Sequence, residues 1–193
     1  DAEGLIPEAL EAICRSERPR VLYCMPSLQN PTCAQLPRAR REEIVEIAQR
    51  YDLMLIQDEI QGSLVDDPNP SLARLAPDHV LTIASLSKVL SPGIRVAYLA
   101  GPRPRAARLA ELVWNSVWMT SPLGGALATR WVMDGTLEAV LQARREAVDL
   151  RQALAAQILA DIPHFTRAGA YQIWLSLPDR WSGESFTQAL LKR

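Results

Sequence analysis

The chain has 193 residues, 48% of them hydrophobic, which is enough for one sizeable core, or for one core and part of another. A formal net charge of −1 offers no basic surface for nucleic acid or anionic membrane, and no stretch approaches the roughly 20 apolar residues that span a bilayer. Three cysteines (Cys14, Cys24, Cys33) and two histidines (His79, His164) lack metal-ligand spacing. With no secretory signal at the start, they suit a reducing cytoplasm better than a disulfide framework or a metal site.

In chain order, VLYCM (21–25) reads as a short apolar strand, ended by Pro26 and the polar turn SLQNPT. From Pro37 a helix follows, with Ile44, Ile47, Ala48 and Tyr51 at i, i+3, i+4 and i+7 and charged residues on the other face. LMLIQ (53–57) and VLTIA (80–84) are a second and a third strand. Near-continuous apolar strands in this rhythm predict an α/β fold, a mainly parallel sheet with helices on both faces.

IRVAYLA (94–100) is a fourth strand, separated from the third by only about ten residues. A parallel crossover needs a dozen or more, so this strand is expected to run antiparallel to the third, reversing at Ser91-Pro92-Gly93. Arg95 then returns close to Lys88. Helices are predicted at roughly 104–118, 122–134 and from Thr136 to about Ala160, with Trp114, Trp118 and Trp131 as core or interface anchors. YQIWLSL (171–177) alternates like a half-buried strand and a helix is expected at 184–192. The division expected is a large domain over 1–160, closed by the long helix, and the beginning of a small α+β domain over 161–193.

In open α/β sheets the working residues gather beyond the carboxyl ends of the parallel strands. Here those positions carry Asn30, Asp58, then Ser85, Ser87 and Lys88, with Arg95 brought back by the antiparallel strand. An aldehyde cofactor uses such a set. A lysine in a partly desolvated site has its pKa lowered and its nitrogen freed for Schiff-base formation. A carboxylate at a pyridine nitrogen makes the ring an electron sink, and hydroxyls with a forked guanidinium hold a phosphate. Those parts together fit pyridoxal 5′-phosphate (PLP). Taken singly, Asn30 before Pro31 is also a turn former, and Ser85 and Ser87 are also residues that cap a turn.

QNPT (29–32), IQDEIQG (56–62) and SLSKVLSPGIRVAYLAGP (85–102) resemble the class I/II aminotransferase family of fold-type I PLP proteins. TSPLGGALATRWVMDG (120–135) is similar to the aminotransferase-like domain of MocR-type regulators of the GntR family. The resemblance implies a PLP-transferase large domain, incomplete here, and amino group transfer between an amino acid and a 2-oxo acid through a Schiff base on Lys88. It implies that Asp58 pairs with the ring nitrogen, that Asn30 bonds the ring oxygen, and that Ser85, Ser87 and Arg95 hold the phosphate. A homodimer of the complete protein is implied in the same way, and no nucleic-acid contact from this segment.

Two positions depart from the family pattern. Where a tyrosine normally reaches the ring oxygen stand Ile60 and Gln61, and Gln61 offers an amide in place of an acidic phenol. Cys33 follows NPT where glycine is usual, which restricts the backbone if φ is positive. Family members are also considerably longer, so the chain is expected to be a fragment that binds PLP poorly by itself and does not turn over. The alternative function is a PLP- and amino-acid-sensing domain of a transcription regulator, to which the loss of the tyrosine leans. A third option is a degenerate fold kept for structure or dimerisation. SLSK also fits the S-x-x-K nucleophile motif, but its companion motifs S-D-N and K-T-G do not occur.

Overall fold

The computed structural model describes residues 1–192. Strands β1 (Val21–Cys24), β2 (Met54–Asp58), β3 (Val80–Ser85) and β4 (Ala97–Ala100) form one sheet in that order. β2 pairs parallel with β1 and β3, and β4 pairs antiparallel with β3. The short link to β4 therefore does what its length requires.

The pleat sorts the apolar residues onto two faces. Leu22, Cys24, Leu55 and Val80 pack with Leu10 and Cys14 of α1 (Pro7–Glu17), Ile44, Ile47 and Ala48 of α2 (Arg38–Arg50) and Leu72 of α3 (Leu72–Leu75). On the other face Met54, Ile56 and Leu81 line a groove with Leu109 and Leu112 of α4 (Ala106–Val117). Helices thus flank the sheet on both faces, though β4 is exposed at all four positions. Helix α1 was not anticipated, since only Pro7, Leu10 and Cys14 mark its buried side. Pro7 sits in the first turn, where a missing N–H costs nothing.

A second core joins Leu86, Val89, Leu90 and Val96 to Ala128 of α5 (Pro122–Met133), with Trp131 and with Leu137 and Leu141 of α6 (Thr136–Ile158) packed against it. Trp131 is the anchor expected of it. Trp114 and Trp118 are not core residues: they are 59% and 64% exposed and meet each other edge to face. Strand β4 starts three residues later than expected, because Pro92–Ile94 form a 3-10 turn and Arg95 takes a left-handed conformation (φ 55°) before pairing begins. Of YQIWLSL only β6 (Trp174–Leu175) is strand. Its partner β5 (His164–Phe165) offers two residues, so the ladder can be no longer. Helix α7 (Gly183–Leu191) follows, opened by a reciprocal Ser182–Ser185 cap. Among the described residues no helix is long and apolar enough to cross a membrane.

Candidate functional site

Strand register decides which side chains share the site's face. Tyr23 lies opposite Ile56, and Asp58 lies opposite Ile83. With a side-chain period of two, Tyr23, Asp58, Ile83 and Ser85 project from the same side of the sheet, at or near its carboxyl end. Asp58 is 7% exposed. Its Oδ1 accepts the Ile60 amide at 2.8 Å and its Oδ2 accepts the Tyr23 hydroxyl. Loss of solvent, then the hydrogen bond to Asp58 and its charge, push the Tyr23 phenol up to about 12. Tyr23 was absent from the sequence candidates. The alternation of VLYCM against LMLIQD was the signal that could have found it.

The neighbouring carboxylate points the other way. Glu59 accepts from Ser27 Oγ at 2.9 Å and from Gln57 Nε2 at 2.7 Å, and burial pushes its carboxyl above the ordinary range. Gln57 is 1% exposed and completes its own bonding by accepting the Ala73 amide. Of the DE pair, Asp58 is the member that bonds Tyr23 across the sheet. Gln61, three residues on, is buried, and its Oε1 has no hydrogen-bond partner.

Asn30 sits on the loop after β1 with its side chain exposed and a cis peptide to Pro31. With Tyr23, Met25, Gln29 and Thr32 it lines a cavity of 380 Å³, which neither Asp58 nor Lys88 lines. Cys33 is fully buried at φ 62°, so a side chain does occupy the backbone region where glycine is least strained. Arg41 closes the base of this loop. It donates to Leu36 O at 2.9 Å and Pro26 O at 3.0 Å, and reaches across to Pro70 O at 3.2 Å and the Asp67 carboxylate.

Beyond β3 the chain turns through Leu86–Leu90, closed by the Leu90 amide donating to Leu86 O at 2.8 Å. Leu86, Val89 and Leu90 are buried while Lys88 between them is exposed. The partly desolvated lysine expected from the sequence is thus corrected: its neighbours are sequestered, and its own side chain meets solvent. Ser85 Oγ accepts the Ser87 amide at 3.2 Å and lies 3.1 Å from Ser87 Oγ and 3.3 Å from Val96 O. Ser85 accordingly holds the turn, and Ser87 keeps the more available hydroxyl. The Leu86 amide donates to Val96 O at 3.1 Å, which brings the start of the lysine turn beside the residue after Arg95. Arg95 is exposed. One end of β2, β3 and β4 thus carries Asp58, Ser85, Ser87, Lys88 and Arg95; Asn30 lies on the loop after β1, and Gln61 is buried three residues beyond Asp58.

A model of aminotransferase class I and II matches residues 2–193. The chain belongs to that family. It is 33% identical over 187 residues to the HTH-type transcriptional regulator YdeF of Bacillus subtilis, covering 96% of this chain and 40% of the regulator. It is 31% identical over 199 residues to 2-aminoadipate transaminase of Thermus thermophilus, covering 97% and 50%. The crystal structure of α-aminoadipate aminotransferase (LysN) from Thermus thermophilus, complexed with N-(5′-phosphopyridoxyl)-L-leucine, superposes with a TM-score of 0.84 at 27% identity, covering 100% of this chain and 52% of the other. The chain spans about half, or less, of the length of the curated relatives it matches. Its fold is that of a fold-type I, PLP-dependent aminotransferase-like domain, the kind carried by both enzymes and HTH-type regulators.

Proposed function

We propose that this aminotransferase-like domain is the effector part of a MocR-type regulator, which binds PLP and an amino acid and answers by changing conformation. The observation that carries this reading is Gln61. The position that in the family's enzymes offers a phenol to the cofactor's ring oxygen here holds a buried amide, whose Oε1 lacks a donor. An amide neither ionises nor relays a proton in the neutral range, so binding is served better than turnover. Similarity to an HTH-type regulator over 96% of the chain supports the same reading.

The donor set fits PLP. Asp58, held by Tyr23 and the Ile60 amide, is a fixed carboxylate for a ring nitrogen. Asn30 and Gln61 are amides suited to the ring oxygen, and the unpartnered Gln61 Oε1 is an acceptor that a ring hydroxyl would satisfy. Ser87 and Arg95 present donors to a phosphate, while Ser85 orders the turn that carries them. Lys88 supplies an exposed primary amine. When bound, PLP supplies an aldehyde carbon that amines capture and a ring that accepts electrons from the captured group. Residues 1–160 act in this reading as part of the large domain and 161–193 as the start of the small one. The complete cytoplasmic protein works as a homodimer.

A second reading, amino group transfer between an amino acid and a 2-oxo acid, is favoured by the retention of Asp58 and Lys88 together and by the 31% identity to a transaminase. One titration separates the two. The cofactor's absorbance is followed in the PLP-loaded protein as amino acids are added, and the products are analysed. A spectral shift without pyridoxamine 5′-phosphate or 2-oxo acid is expected. Stoichiometric appearance of both products would establish transfer, and no shift in either wild type or Lys88→Ala would remove both readings.

A further inference from the structure

Three successive carbonyls of the lysine turn are held from far along the chain. Tyr171 Oη donates to Lys88 O at 3.0 Å, Arg144 Nε donates to Val89 O at 2.7 Å, and Arg144 Nη2 donates to Leu90 O. Arg144 comes from α6, and Tyr171 from the loop between β5 and β6. Turn carbonyls left to themselves are met by water, which fixes nothing; here side chains replace the water and set the peptide planes.

The stretch that carries Tyr171 touches the other site-bearing loops as well. Arg167 donates to Cys33 O at 3.3 Å and to the Gln35 side chain at 3.0 Å, and Gln172 donates to Gln29 O at 3.3 Å. Ala170 is 1% exposed and packs with Leu28, Cys33 and Val65. Gly169 lies so close to Leu64, beyond Asp58, that a Cβ there would stand 2.4 Å from its carbonyl oxygen. Residues 167–172 therefore bridge the Asn30 loop, the segment after Asp58 and the Lys88 turn.

We propose that Tyr171 is a positioning residue for Lys88, acting through the Lys88 carbonyl with Arg144 beside it. The inference rests on the reading of Lys88 as the cofactor-capturing amine. A lysine amine rides on a flexible four-carbon stem, so where it can reach is set by the orientation of its Cα and flanking peptides. Lys88 has an exposed side chain between buried neighbours, so its stem is oriented through the backbone of the turn and not by packing. Loss of the Tyr171 hydroxyl frees the 88–89 peptide to rotate and spreads the amine over a wider volume.

The chain contains two lysines, Lys88 and Lys192, which makes the test self-referenced. The protein is incubated with excess PLP at a series of pH values and each mixture is then reduced with sodium borohydride. Phosphopyridoxyl-lysine is then quantified by mass spectrometry at each position. Wild type is expected to favour Lys88. Tyr171→Phe is expected to lower the Lys88:Lys192 ratio by about three- to tenfold, the equivalent of one hydrogen bond, and to displace its pH profile. The thermal midpoint should hardly move, because Tyr171 is 41% exposed and the change leaves no void. Tyr171→His, which keeps a ring N–H donor, should recover part of the preference. If wild type favours Lys88 and Tyr171→Phe matches it in ratio and pH profile, the positioning role is wrong while the reading of Lys88 stands. If wild type shows no preference for Lys88, that reading fails and the positioning role fails with it.

Discussion

Tyr23 and Asp58 form a diagonal cross-strand pair: the phenol on β1 donates to the carboxylate that ends β2, whose other oxygen is taken by the Ile60 amide. The bond ties two parallel strands together at the end where the site lies and fixes the carboxylate plane from both sides. It also gives the phenol a pH signature. Its folded-state value, about 12, lies above the ordinary tyrosine value of about 10, so the bond's stabilisation is fully present below about pH 10 and is lost as pH rises through 12. Tyr23→Phe should lower stability at neutral pH by about 1 kcal/mol, a small figure because Tyr23 is half-exposed. It should also remove one high-pH phenol ionisation. Urea melts at neutral and alkaline pH, with an ultraviolet titration of tyrosinate, measure both; a variant with an unchanged alkaline titration would show that the bond does not form.

Arg41 is 1% exposed and its ion-pair partner Asp67 is nearly as enclosed. Burial pushes the Asp67 carboxyl up, but the hydrogen bonds around it, those from Arg41 and Asn69 among them, outweigh it and hold the group below its ordinary value. A depressed carboxyl stabilises the fold above about pH 4, and that contribution is lost as pH falls through the folded value. Asp67→Asn should cost about 3 kcal/mol at neutral pH, since it leaves a buried guanidinium without its counter-charge. The acid limb of the stability curve should flatten in the same variant. Denaturant midpoints from neutral to acid pH are the measurement.

Gly169 has φ +80°, and a side chain there would meet Leu64 O at 2.4 Å. Gly169→Ala combines a left-handed backbone with a contact that backbone atoms cannot yield, and should cost about 2 kcal/mol or more. Thermal unfolding reads the loss. Gly183→Ala, where a Cβ meets nothing within 4 Å, is the reference substitution and should change little.

Gln61→Met keeps the length of the side chain and deletes the orphaned acceptor. Without cofactor it should raise stability by about 1 kcal/mol, because an unmet buried polar group is removed. Retention of PLP through gel filtration should fall in the same variant. Destabilisation in the absence of cofactor would mean that Gln61 is already bonded, and its role at the ring oxygen would have to be abandoned.

The strands could be read from the sequence because each is a short apolar run bounded by turn residues, and the direction of β4 followed from counting the residues available for its return. Asp58 and Lys88 stood out because charged residues at the ends of buried strands need a reason. Tyr23, Arg41 and Tyr171 did not stand out. Each acts by bonding to a group distant in sequence, and such bonds leave no period in the chain. Lys88 was expected to be partly desolvated, but burial depends on what packs above the turn, and only its flanking leucines and valine carry that information. The last third was the least legible: strands of two residues fall below any pattern, and Tyr171 and Gln172 serve as docking side chains where alternation suggested a ladder.

Arg41 has one more consequence, for the order in which parts of the chain come undone. A guanidinium bonded to the carbonyls of residues 26, 36 and 70 lets the loop after β1 and the loop after β2 open only together, and only with the core beneath them. Helix α7, by contrast, has no buried residue and lies beyond the bonds that hold 167–172 to the rest of the domain. Amide hydrogens near Asn30 and Asp58 should therefore exchange near the rate of global unfolding, and those of α7 far sooner, so the domain melts from its distal end toward Arg41.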